Sequence, residues 1–180
     1  MNHAPTGETP KRGIVFRKVG TGNRLASRQA RRHLHVGTAA LRRRRFADAI
    51  EQLSEAIRLA PDSYLAHVNL GLAYYHLEKY TPAIGQFTRA TEIDAARPQA
   101  WLNLAAAETA LGHIDKARAI LEELAPQHPR HPDLHYNLAT LHLRRGDFLQ
   151  ALAELERELA ENPKHRLARQ LIRELQQRQK

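Results

Sequence analysis

The chain has 180 residues, 42% of them hydrophobic, no cysteine, and a formal net charge of +9 at neutral pH. This length and apolar content suffice for one domain with a buried core, and with only four Phe and one Trp that core must be built from Leu and Ala, which favours packed helices over sheets. The missing cysteines exclude disulfides, thiolate catalysis and Cys-ligated zinc or iron–sulfur sites, while the charge is split into +11 over residues 1–45, −7 over 46–163 and +5 over 164–180, a pattern of basic ends that points to interaction surfaces there.

Residues 1–29 mix Gly, Pro, Thr and Asn with basic residues and show no sustained periodicity, which predicts a basic, largely flexible arm. Its longest apolar run, "GIVF" from Gly13, is too short for a secretory core or a membrane span. A cytoplasmic protein is therefore expected. The segment "GIVFRKV" is suited to becoming ordered on a partner.

From Ala30 onward the same chemistry returns every 34 residues, in rows beginning at Ala30, Tyr64, Pro98 and Pro132. One column reads Val36, Leu70, Leu104, Leu138; the next reads Gly37, Gly71, Ala105, Ala139. Later columns read Ala49, Ala83, Ala117, Ala151, then Leu53, Phe87, Leu121, Leu155, then Pro61, Ala95, Pro129, Pro163. Each row carries two runs at helical spacing around a short break, so the expected units are helix pairs over 30–63, 64–97, 98–131 and 132–163. Thr81 followed by Pro82 predicts a helix start, the glycines in "ALGH" and "RRGD" predict helix ends, and the Gly/Ala column marks where two helices must approach closely. One pair cannot bury both faces, so an all-α solenoid of stacked repeats is expected. After Pro163, Leu167, Leu171 and Leu175 recur at four-residue spacing in an amphipathic segment, which predicts a capping helix over 164–180.

These columns resemble the tetratricopeptide repeat pattern W-x-x-L-G-x-x-Y…A-x-x-x-F…P, best matched by "HVNLGLAY" with Ala83 and Phe87 and by "WLNLAAAE" with Ala117 and Leu121. The resemblance covers residues 30–163; His33, His67 and His135 stand where the family most often has Trp, and Glu158 stands at a usually small position. It implies that the first helix of each repeat lines a concave groove, with His35, Asn69, Asn103 and Asn137 pointing into it. A carboxamide offers a donor and an acceptor, so Asn69, Asn103 and Asn137 form a candidate ladder for a peptide backbone; the alternative is that they only solvate the groove. Val68, Leu72, Tyr75, Leu102, Tyr136 and Thr140 are the neighbouring groove positions, suited to a partly apolar extended or helical segment. Leu34, Thr38 and Gln99 stand where a chaperone-tail clamp needs Lys or Asn, and Asn103 where it needs Lys or Arg, which argues against that clamp. The implied function is a non-enzymatic adaptor for a protein partner, with a homo-oligomer left open.

Other chemistry is thin. His128 and His131 fall among prolines and His33, His67 and His135 lie one repeat apart, on the order of 10 Å when stacked, so no metal or cofactor is expected. "VGTGNR" lacks a following Gly-Lys-Ser/Thr, and neither G-x-S-x-G nor H-E-x-x-H occurs. The alternative function rests on the basic arm with Arg31, Arg32, Arg42, Arg43, Arg44 and Arg45 forming one positive surface for nucleic acid, an anionic membrane or an acidic protein. The same run also reads as a solvated turn, and the shortage of nearby aromatics argues against specific single-strand binding.

Overall fold

The computed structural model describes residues 21–178 apart from 129 and 132. Nine α-helices follow one another among the described residues: α1 (Thr21–Arg42), α2 (Phe46–Leu59), α3 (Tyr64–His76), α4 (Tyr80–Ile93), α5 (Pro98–Leu111), α6 (Ile114–Leu124), α7 (Leu134–Arg145), α8 (Phe148–Glu161) and α9 (Arg166–Arg178). Each odd helix packs against the even helix after it, and each even helix against the next odd one. The result is an α-solenoid of four helix pairs closed by α9.

Periodic small residues set the distance between helices within a repeat. A Cβ built on Gly71 would lie 2.5 Å from Cε1 of Phe87, and one on Gly37 would lie 2.7 Å from Cγ of Leu53. The bare glycine thus lets the partner helix's largest side chain reach the backbone. Phe87, Leu53, Leu121 and Leu155 are fully buried, so the repeating column is the spine of the core. Between the second and third repeats the contacts are partly polar, the Ala100 N–H donating to the Tyr64 hydroxyl at 3.2 Å; within the second repeat, Arg97 lies over the same ring at 4.8 Å.

Helix ends follow local chemistry with two departures from expectation. Gly112 and Gly146 end α5 and α7 in the left-handed region, φ 90° and 83°, where a Cβ would be strained. By contrast α4 starts at Tyr80, with Lys79 and not Thr81 at the cap position. Pro82 then sits in the first turn, where its absent N–H has no intrahelical acceptor to lose. At the other end, α1 reaches back to Thr21, into the stretch expected to be an arm. Between Asn23 and Gly37 nothing breaks a helix and Arg, Leu, Ala and Gln favour one. The rest of that arm, with "GIVFRKV", lies outside the described residues.

The three histidines in the Trp column have a common structural role. Nδ1 of His33, His67 and His135 lies 2.9, 2.8 and 2.7 Å from the side-chain oxygen of the residue 19 positions later, Gln52, Gln86 and Glu154. In the third repeat the same two positions are Trp101 and Ile120, both packed against one apolar cluster. A donor is also kept in this column: His67 Nε2 reaches the Pro61 carbonyl at 2.8 Å and Trp101 Nε1–H donates to the Ala95 carbonyl at 3.0 Å.

At the turn between α1 and α2, Phe46 stacks on His76 with centroids 5.0 Å apart, and Arg44 lies over the same Phe46 ring. Burial, followed by the Arg44 charge, pushes the His76 imidazole below its ordinary value. The unfolded chain therefore takes up this proton first as pH falls from ~6.5, and stability contributed by the site is lost as pH falls through the folded value. His76→Gln should flatten that part of the acid limb of a urea-midpoint profile; an unchanged profile would show that the stack does not sense pH.

Candidate functional site

The odd helices form the inner row of the solenoid, since residues of α3, α5, α7 and α9 together line a single cleft of about 370 Å³. Helical periodicity brings one stripe of each odd helix to this side: Thr38, Leu72, Ala106 and Thr140 share one column, with His35, Asn69, Asn103 and Asn137 in the column three residues earlier. Tyr75, Tyr136, Asn137 and Thr140 line the 370 Å³ cleft with Arg144 and Leu171. His35 is exposed and lines a second cleft, of about 440 Å³, with Arg31, Thr38, Arg42 and Arg43.

Two expected groove residues belong to the core. Val68 packs with Tyr64, Ala90 and Ala100, and Leu102, 1% exposed, packs with Leu121 and Leu134. Each stands one residue before an Asn of the groove column, and the 100° step per residue carries it into the core; Tyr136, in the same column, is half-buried and lines the cleft. Leu72 and Tyr75 are half-buried at the groove edge.

The three asparagines have unequal surroundings. Asn69 Nδ2 donates to Thr38 Oγ1 at 2.9 Å, so its carboxamide already ties the first repeat to the second. The position 31 residues before Asn103 is Leu72, which offers no acceptor; Asn103 Nδ2 is buried without a hydrogen-bond partner among the described residues, while its Oδ1 accepts from Gln99 at 3.2 Å. The position 31 residues before Asn137 is Ala106, and there the groove opens into the cleft. Burial raises the Tyr75 and Tyr136 phenols above their ordinary values, keeping both as neutral hydroxyls that can donate or accept.

The six arginines do not form one patch. Arg31, Arg42 and Arg43 line the 440 Å³ cleft, whereas Arg32 and Arg45 face the open end of the first repeat beside Asp48 and Glu51. Arg45 Nε lies 3.5 Å from Asp48, and Arg44 covers Phe46. Arg31 and Arg32 are adjacent on α1 and point 100° apart, while Arg43, Arg44 and Arg45 lie in the turn between α1 and α2, with Arg44 in the left-handed region at φ 59°, so the run is spread over several directions.

One polar cluster was not anticipated. Asp133, Glu158 and His165 bring their ligand atoms within 4.8 Å of one another, a set with the chemistry of a cation site. The hydrogen bonds argue otherwise. The Ala168 N–H donates to His165 Nδ1 at 3.0 Å, so the ring proton sits on Nε2, which faces Asp133 Oδ1 at 2.7 Å. A metal on Nε2 would need that lone pair free and a proton on Nδ1, where the cap already points. The cluster caps α9 and fastens it to α7 and α8.

Models described as tetratricopeptide repeat match residues 37–100 and 78–135, together more than half of the chain. No curated protein matches it. Among solved structures, a thermophilic TPR protein from Thermus thermophilus superposes with a TM-score of 0.71 at 20% identity over 79% of each chain. MamA from Desulfovibrio magneticus RS-1 gives 0.68 at 16% identity over 84% of this chain and 85% of that one. The second TPR domain of human RPAP3, solved in complex with an HSP70 peptide, gives 0.60 at 21% identity over 67% of this chain and 98% of that one.

Proposed function

The chain belongs to the tetratricopeptide repeat family, and from that premise we propose that it is a non-enzymatic adaptor whose inner groove holds a peptide segment of a partner protein. The observation that carries this reading is the inner cleft, where residues of four helices surround a space of about 370 Å³, within the ~300–1,000 Å³ usual for binding sites. The RPAP3 domain shows the same fold with a peptide bound. Asn137 lines this cleft, where its carboxamide can pair with a ligand backbone; Asn103, one repeat earlier in the same column, has a buried amide with no partner among the described residues.

Capture of partners from the source cells on the immobilised chain, beside a variant with Asn103→Ala and Asn137→Ala, tests the reading. Each substitution should weaken the captured partner's binding by about 0.5–1.5 kcal/mol by calorimetry and leave the melting temperature nearly unchanged. Asn69→Ala should instead lower stability, because Thr38 loses its donor. Equal binding by wild type and double variant would remove the groove from the function.

A further inference from the structure

We infer that the 370 Å³ cleft is a side-chain socket for a bulky apolar residue of the partner standing next to a carboxylate, with Arg144 receiving the acid; this rests on the groove reading above. The socket originates in the third repeat. In the column Thr38, Leu72, Ala106, Thr140 and in the column Arg42, His76, Ala110, Arg144, only the third member of each is alanine. Both truncations fall on the inner face of α5, one helical turn apart, and so remove two neighbouring side chains from the floor of the groove. The walls around the gap are apolar: Tyr75 from α3, Tyr136 and Leu143 from α7, and Leu171 from α9. The terminal helix thus serves as one wall of a binding site as well as a cap.

The polar rim is one-sided. Arg144 is exposed on the last turn of α7 and makes no ion pair among the described residues, whereas its neighbour Arg145 has its Nε 3.3 Å from Asp147. The nearby acid Glu174 accepts a hydrogen bond from Gln170 at 2.8 Å. Tyr75, Tyr136 and Arg144 all line the cleft and no carboxylate does, although the Asp133 and Glu174 charges act on the Tyr136 phenol from outside it. Such a set favours an anionic acceptor over a cation, and the apolar floor beneath it favours a ring or a branched aliphatic chain.

The test is a ¹H–¹⁵N NMR titration of the full chain with a capped Phe-Glu dipeptide, beside its Phe-Gln and Ala-Glu counterparts. Phe-Glu should shift the amides of Ala106, Ala110, Thr140 and Leu171, and both counterparts should bind more weakly, Phe-Gln by about threefold to tenfold. Ala106→Leu, which refills the gap, should abolish the Phe-Glu shifts. Arg144→Gln, at an exposed site that leaves folding alone, should make Phe-Glu and Phe-Gln equal. Shifts that are absent from the cleft, that survive Ala106→Leu, or that do not distinguish Glu from Gln in wild type would overturn the inference. If that happens while Asn137→Ala still loses the captured partner, the socket falls and the groove stands.

Discussion

Replacing Phe87 with Ala should cost about 3–5 kcal/mol of stability, and the way this loss couples to Gly71 tests how the repeats are locked together. Phe87 is fully buried, and its ring fills the space that a Cβ on Gly71 would occupy, at 2.5, 2.7 and 2.9 Å from three ring atoms. Gly71→Ala should gain about 1 kcal/mol from helix propensity yet lose about 1–3 kcal/mol from overlap, because a ring enclosed on all sides cannot retreat. Overlap wins. Phe87→Leu alone leaves a cavity, but together with Gly71→Ala it recreates the pairs that repeats three and four already use, Ala105 with Leu121 and Ala139 with Leu155. The double variant should therefore be more stable than the sum of the singles predicts, by about 0.5–2 kcal/mol. Additive urea midpoints would mean that the column does not set the interhelical distance.

That pairing was legible in the sequence because the core repeats at a fixed period: the Gly/Ala column and the Leu/Phe column stand sixteen residues apart in every repeat. The histidine pairs follow the same period. A polar residue stands 19 positions after each of His33, His67 and His135, and an apolar one stands 19 positions after Trp101, so both members change character together. What column counting could not supply is direction around a helix at the groove. Val68 and Asn69 are adjacent in sequence, and one is core while the other ties Thr38. The arginines divide among the 440 Å³ cleft, an end face and an aromatic ring because three of them lie in a turn whose direction, with Arg44 at φ 59°, a row of like charges does not specify. The socket needed both kinds of knowledge: the two alanines are visible in the columns, but the wall provided by Leu171 comes from a helix outside the repeat.

The second large effect is expected where α9 meets the last repeat. Glu158 occupies the column of Ala56, Ala90 and Leu124 and is 1% exposed. Its Oε1 accepts the Asp133 N–H at 3.2 Å and lies 4.0 Å from His165 Nε2. His165→Ala removes the acceptor that caps α9, the Nε2–H donated to Asp133 Oδ1, and the ring tilted against Tyr136 with centroids 5.0 Å apart. Losing the cap costs about 1 kcal/mol, and emptying the site of a side chain only 9% exposed adds about 1–3 kcal/mol, so the total should be about 2–4 kcal/mol. Glu158→Ala behaves differently, because a buried carboxylic group exchanged for the apolar residue used by other repeats is often neutral or favourable; it should stay within about 1 kcal/mol of wild type, offset by the orphaned Asp133 N–H. In a double-mutant cycle, Glu158→Ala should therefore recover part of what His165→Ala loses, since Glu158, 1% exposed, would otherwise stay buried with the Asp133 N–H as its one hydrogen-bond donor among the described residues. Urea unfolding followed by circular dichroism reads all four corners of the cycle. Strict additivity, or a harmless His165→Ala, would mean that α9 is held by its apolar face alone, through Ala168 and Leu175.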